Sequence, residues 1–281
     1  WTDGWTLTAA GLPGVTFGTD IAGFDTVYHT NQDDLRLVNY GTMDQEVQLL
    51  QRYLVALDRA PALPYRFGER AADLAASVDP ASYAHLGIDV RALTRQVSRF
   101  QHLAGEFDQV ASGLPSGANP LLLRLSSFIN REWTGLSVSD DTIYPTQQVE
   151  WDATALADGL ALLRHHDLAG AVGTLVNVGL TWNAFFDYPV WAWENGRHAP
   201  TFPRLAWGAQ GHLPPYVDIY AAYVSLRAKA ATGGSVAPWE IAALTNALMS
   251  EKAVLRDRVA LETQQLAEVN AILAQLVGMA A

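Results

Sequence analysis

At 281 residues the chain is long enough for one large domain or two, so a small stapled scaffold is excluded. Hydrophobic residues make up 49% and charged ones only 17%, a balance that excludes disorder, while the net charge of −11 repels phosphate backbones and anionic lipid and argues against nucleic-acid and membrane contact. There is no cysteine, which removes disulfides, thiolate metal sites and cysteine nucleophiles. No apolar run reaches the ~18 residues of a membrane span, and the start at Trp1-Thr2-Asp3 has neither the flank of a signal peptide nor an initiator Met, which reads as a processed, truncated or cloned fragment.

In chain order, Leu12-Pro13-Gly14-Val15-Thr16-Phe17-Gly18-Thr19-Asp20 sets β-branched and aromatic residues between Gly and Pro. That pattern predicts a short buried strand, the only one read from the sequence. Residues 23–34 read as loop. Met43, Val47, Leu50, Tyr53, Leu54 and Leu57 then recur at three- and four-residue steps, an amphipathic helix stopped at Ala60-Pro61. Ile88 to Val110 repeats the helical spacing until Gly113 and Pro115, and Asn119-Pro120 reads as an N-cap and first helical position. Trp151 to about Trp182 is apolar nearly all round, as in a helix or helical hairpin buried on several sides. Residues 183–215, rich in aromatics and proline, read as an ordered loop. Tyr216 to Ala230 is helical, Thr232-Gly233-Gly234-Ser235 is a turn, and Pro238 opens a long closing helix that Asn246 or Ser250 bends. A lone strand leaves its backbone groups unpaired, so residues 1–65 are expected to belong to a sheet completed elsewhere.

Chemistry-bearing motifs are sparse. The seven histidines show no metal-ligand spacing, and there is no phosphate loop, nucleophile elbow or H-E-x-x-H. His165-His166 reads as a solvated helix end, His85 and His102 as surface residues, and His198 and His212 as satisfied loop residues. Trp191, Trp193 and Trp207 read as packing aromatics. Tyr28-His29 differs because it follows the predicted strand within a loop at its carboxyl end, where open α/β sheets place ligands.

These residues also carry a resemblance. Ala10-Gly11-Leu12-Pro13, Tyr28-His29-Thr30-Asn31-Gln32-Asp33-Asp34 and the helix closing on Ala60-Pro61-Ala62-Leu63-Pro64-Tyr65 resemble the last part of the catalytic domain in co-catalytic zinc peptidases of the glutamate carboxypeptidase II and transferrin receptor family. Asp89 to Val110, Asn119 to Trp133, Gly211-His212-Leu213-Pro214-Pro215-Tyr216 and the closing helix resemble that family's dimerisation domain. The resemblance implies a mainly α fold: a helical bundle of the transferrin receptor-like dimerisation type, residues 68–281, with an aromatic-rich insertion at about 134–210. A strand–loop–helix remnant of an α/β zinc-peptidase domain, residues 1–67, precedes it. It implies His29 as the final zinc ligand and Tyr28 as the side chain that helps hold the tetrahedral intermediate.

The family's other ligands for its two zinc ions and its general-base glutamate have no counterpart here, and Leu205 to Gln210 lacks the family's substrate-pocket lysine. One imidazole does not hold zinc tightly, so the chain alone is expected to be inactive and to serve pairing with a second copy. The implied partners are itself, an upstream catalytic segment and, in the parent protein, a peptide substrate; the implied setting is extracytoplasmic. Two other readings remain: a zinc site completed in trans by another polypeptide, and an unrelated helical protein holding a small ligand against Trp191 to Trp207.

Overall fold

The computed structural model describes residues 11–12, 30–132, 136–138, 141–143, 145–178 and 217–280. These residues form a mainly helical bundle. In chain order they give α1 (Tyr40–Arg59), α2 (Gly68–Ser77), α3 (Pro80–His85), α4 (Arg91–Val110), α5 (Asn119–Glu132), β1 (Leu136–Val138), β2 (Asp141–Ile143), α6 (Pro145–Arg164), α7 (Leu168–Leu175), α8 (Tyr220–Thr232) and α9 (Pro238–Ala280).

Nothing among the described residues supports the expected strand–loop–helix unit, since residues 13–29, most of its strand and loop, lie outside them and only its helix, α1, is seen. The described strands occur where none was anticipated: β1 and β2 pair antiparallel, Ser137 opposite Thr142. Their signal was Leu-Ser-Val and Asp-Thr-Ile separated by two residues, too short a pattern to stand out from helix-rich surroundings.

α1 begins where the Asn39 side chain accepts hydrogen bonds from the N–H groups of Gly41 and Thr42 at 3.0 and 3.1 Å, and it stops before Pro61 as expected. Its apolar residues Tyr40, Met43, Val47, Leu50, Leu54 and Leu57 alternate three- and four-residue steps, which aligns them on one side of the helix. None of the twenty residues of α1 is buried.

Docking into the bundle starts just after α1. Ala62 and Phe67 are buried, and the Phe67 ring packs on Phe107 of α4 with centroids 5.2 Å apart. The Asn119 side chain accepts from the Leu63 N–H at 2.8 Å and donates to the Pro61 carbonyl. Asn119 itself is in helical conformation, so it ties down the chain 56 residues earlier and is not the N-cap its sequence pattern implied.

α2 has a borrowed cap. The Phe67 side chain makes no capping bond, and Asp108 of α4 accepts from the N–H groups of Phe67 and Gly68, each at 3.0 Å. A Cβ on Gly68 would come within 2.6 Å of that carboxylate, so the close approach requires glycine. Asp108→Ala is expected to lower stability by about 1–2 kcal/mol by orphaning both donors. Urea denaturation checks this; an unchanged midpoint would show that water replaces the cap without loss.

The buried side chains divide into two clusters. One joins α2 to α5 with the carboxyl-terminal part of α9 through Leu74, Phe100, Phe107, Leu122, Leu266 and Leu273. The other joins the end of α6 with α7, α8 and the start of α9 through Leu160, Leu175, Leu226 and Leu244. α6 and α9 run through both. α9 extends as one continuous helix for 43 residues from Pro238, through Asn246 and Ser250 where the sequence predicts a bend. Gly233, at φ +75°, ends α8 in the left-handed conformation within the segment that the sequence reads as a turn. Near the far end of α9, Asn270 donates to both the backbone and side-chain oxygens of Gln96 at 3.0 Å, fastening α9 to α4.

Candidate functional site

Tyr28 and His29, the residues implied for catalysis and zinc, lie outside the described residues, as do His198, His212 and tryptophans 191, 193 and 207. The described histidines are scattered over the surface. His85 Nε2 is 3.0 Å from Asp158 Oδ1, and His102 Nε2 is 3.4 Å from Glu106 Oε1 one turn along α4. His165 and His166 are exposed in the turn that ends α6, the solvated helix end the sequence suggested, and His166 has a left-handed φ of 61°. The adjacent Asp167 caps α7 by accepting from the Gly170 N–H at 2.8 Å.

Among the described residues no three His, Asp or Glu side chains converge in a way that can hold a metal ion. The described residues therefore do not by themselves fit the zinc pair that the resemblance implies, and no catalytic step through zinc follows from them.

Polar side chains gather in a cavity of about 620 Å³ between the α2–α3 corner and the α6–α7 hairpin. Asp79, Ser82, Glu150, Asp152, Thr154 and Asp158 contribute to its lining. Periodicity explains the arrangement: Glu150, Thr154 and Asp158 are four residues apart and so share one face of α6. α3 starts with Asp79 as its cap, its carboxylate accepting from the Ala81 N–H at 3.0 Å, and this places Ser82 toward α6. Glu150 Oε1 accepts from the Ser82 hydroxyl and, at 2.8 Å, from Thr154 Oγ1. Burial pushes the neighbouring Tyr83 phenol far above its usual range, and the charges of Glu262, Glu150 and Asp79 act in the same direction, so the phenol stays protonated.

No Lys or Arg is among the described lining residues, so the concavity carries a negative field. Ser82 is hydrogen-bonded to a carboxylate, but no imidazole or oxyanion-binding pair is brought to it, and the group is not a nucleophile–base arrangement. The sequence reading passed over these residues. Their signal is a polar row at four-residue steps, Glu150, Thr154 and Asp158, at the edge of and within a largely apolar stretch. A second cavity, of about 600 Å³, lies where Leu163, His166 and Leu168 meet Val236 and Ile241, and its lining is mainly apolar.

Comparison with protein-family models, with characterised proteins and with solved structures found no match for this chain. Its class is therefore defined by architecture alone, a mainly helical bundle with a two-stranded hairpin. No described helix is long and apolar enough to cross a membrane.

Proposed function

We propose that this chain is the carboxyl-terminal part of a co-catalytic zinc exopeptidase-like protein, in which the bundle pairs two copies and residues 1–67 complete a catalytic domain supplied by preceding sequence. The proposal rests on the motifs around Tyr28-His29 and Ala60 to Tyr65, and one structural observation supports it. Every residue of α1 stays out of the core although Met43, Val47, Leu50 and Leu54 make an apolar row along it. An uncovered face of that length on a twenty-residue helix is expected where a larger assembly covers it. In this reading His29 is the last ligand of a zinc site whose other ligands lie upstream, Tyr28 steadies the tetrahedral intermediate, and the chain alone is an association module.

Sedimentation equilibrium at tens of micromolar is expected to give a dimer, and a strict monomer would overturn the pairing role. The catalytic half is tested separately. Mixing the chain with an upstream segment that carries the remaining ligands is expected to yield zinc-dependent peptidase activity, and Leu50→Lys to abolish that gain while leaving the thermal midpoint of the chain alone unchanged. Activity of the chain by itself, with two tightly held zinc ions, would refute the reading.

A further inference from the structure

α9 is enclosed by α4 on one side and α6 on the other, and its inward stripe is apolar at Leu255, Val259, Leu266, Val269 and Leu273. Two carboxylic acids interrupt that stripe. Glu251 is 2% exposed and Glu262 is 5% exposed, and each has one oxygen, Oε2, buried without a hydrogen-bond partner. An ionised carboxylate in such a place is strongly disfavoured unless a cation and a full set of donors compensate.

The surroundings supply little compensation. Asp152 of α6 faces Glu251 and adds a like charge. Lys252, next along α9, extends its Nζ toward Gly87 in the turn after α3. Around Glu262 stand the Thr146 hydroxyl of α6, Tyr83 of α3 and Arg258 one turn back on α9. Arg258 is largely buried itself, and burial pushes its own pKa down. On α4, the flank facing α9 is made of buried apolar residues such as Phe100, Ala104 and Phe107, and its His102–Glu106 pair is exposed. α5 contributes Leu122, Leu125 and Ile129 to the same core.

We propose that Glu251 and Glu262 make the α6–α9 seam a proton-controlled clasp: the bundle closes with both carboxyls protonated, and release of the two protons to solvent drives α6, with the α7 hairpin, away from α9. Burial first, then Asp152, raises the Glu251 carboxyl to about 8. Burial raises Glu262 to about 7 against the Thr146 hydrogen bond and the charge of Arg258. Both values lie above the ordinary 4.5 that applies in the unfolded chain. Folding therefore takes up protons. The associated stability is full below that ordinary value and is lost as pH rises through the folded values near 7 and 8.

The test uses the full chain. Its folding equilibrium constant, from urea denaturation, is expected to fall at least about tenfold between pH 5.5 and pH 8.5, each proton contributing up to tenfold per pH unit. In the same interval hydrogen exchange, corrected for its intrinsic pH dependence, is expected to accelerate in α6 and α7 more than in α4. The double variant Glu251→Gln with Glu262→Gln keeps shape and removes ionisation; it is expected to match the parent near pH 5.5, exceed it at pH 8.5 and abolish the preferential exchange. The single variants separate the steps, Glu262→Gln removing the one near pH 7 and Glu251→Gln the one near pH 8. A parent whose stability is flat over this range would overturn the proposal. So would a double variant that keeps the full pH dependence or is weakened equally at both ends, since the carboxyls would then be structural hydrogen-bonding groups only.

Discussion

Replacing Phe107 by Ala is expected to lower the unfolding free energy by about 3–5 kcal/mol, the range for a large aromatic truncated in a close-packed core. Phe107 has no exposed surface, and it is the side chain through which α4 holds the segment before α2. Its ring meets Phe67 at 5.2 Å with the planes 52° apart, and Phe67 stacks in turn on Tyr65 at 6.0 Å. Truncation leaves a void beside Phe67, whose backbone N–H is one of the two donors that Asp108 accepts from. A double variant with Asp108→Ala should be less than additive because the two sites share one segment. Urea denaturation of the single and double variants measures both quantities. A loss below about 1 kcal/mol for Phe107→Ala would mean that the core collapses around the cavity and that this ring does not anchor the segment.

Lys229→Met is expected to cost about 3 kcal/mol at pH 7, and the reason is the carboxylate it leaves behind. Glu240 in the first turn of α9 has a fully buried side chain, with both oxygens 2.7 Å from Lys229 Nζ at the end of α8. One oxygen also accepts from the Ala237 N–H, half of a capping box that starts α9. Burial acts to raise the Glu240 carboxyl, but the hydrogen bonds from Lys229, Ser225 and Ala237 outweigh it, so the group lies below its ordinary 4.5. A lowered folded value gives stability that is present above the ordinary value and lost as pH falls through the folded one. The parent should therefore lose this contribution only in acid. Lys229→Met removes the cation, turns the shift upward, and should be most destabilised at pH 7 and least at pH 4. Denaturation at the two pH values checks the sign; equal losses at both would show that the methylene stem of Lys229 matters and its charge does not.

Glu240 and the pair Glu251 and Glu262 occupy the same helix and respond to pH in opposite senses. The first has a cation bonded to both oxygens and a donor N–H at the helix start, whereas Glu251 faces a carboxylate and burial at Glu262 outweighs the Thr146 hydrogen bond and the charge of Arg258. Residue type is identical in all three. Spacing places Glu251 and Glu262 on the apolar stripe of α9 and leaves the exposed Glu268 off it, but what faces each buried carboxyl is decided by α6, about a hundred residues earlier.

Most of the helices were legible, and for local reasons. Three-and-four spacing marks α1, α4 and α9, an all-round apolar stretch marks the region of α6 and α7, Pro61 and Pro238 mark an end and a beginning, and Gly233-Gly234 marks the turn after α8. The short α2 and α3 escaped because Gly68–Ser77 and Pro80–His85 are too brief to repeat an apolar period, and α2 takes its cap from Asp108 on another helix. Asn119-Pro120 misled for the same kind of reason: an asparagine before proline fits a cap, but the side chain is occupied by Leu63 and Pro61. Of the candidate site, the residues singled out, Tyr28 and His29, lie outside the described residues, and the acidic concavity on α6 emerged only once α2, α3 and α7 were placed around it.

By itself the sequence determined that this chain is rich in helix, where a few of those helices begin or end, as at Pro61 and Pro238, and that its negative charge disfavours anionic partners. Each of these follows from interactions within a few residues or from a sum over the chain. Only the tertiary structure decided which polar groups are buried, that Asp108 and Asn119 serve distant backbone, and that α1 alone among the long helices buries nothing. Burial belongs to the elements packed around a residue, and no run of neighbouring letters encodes which elements those will be.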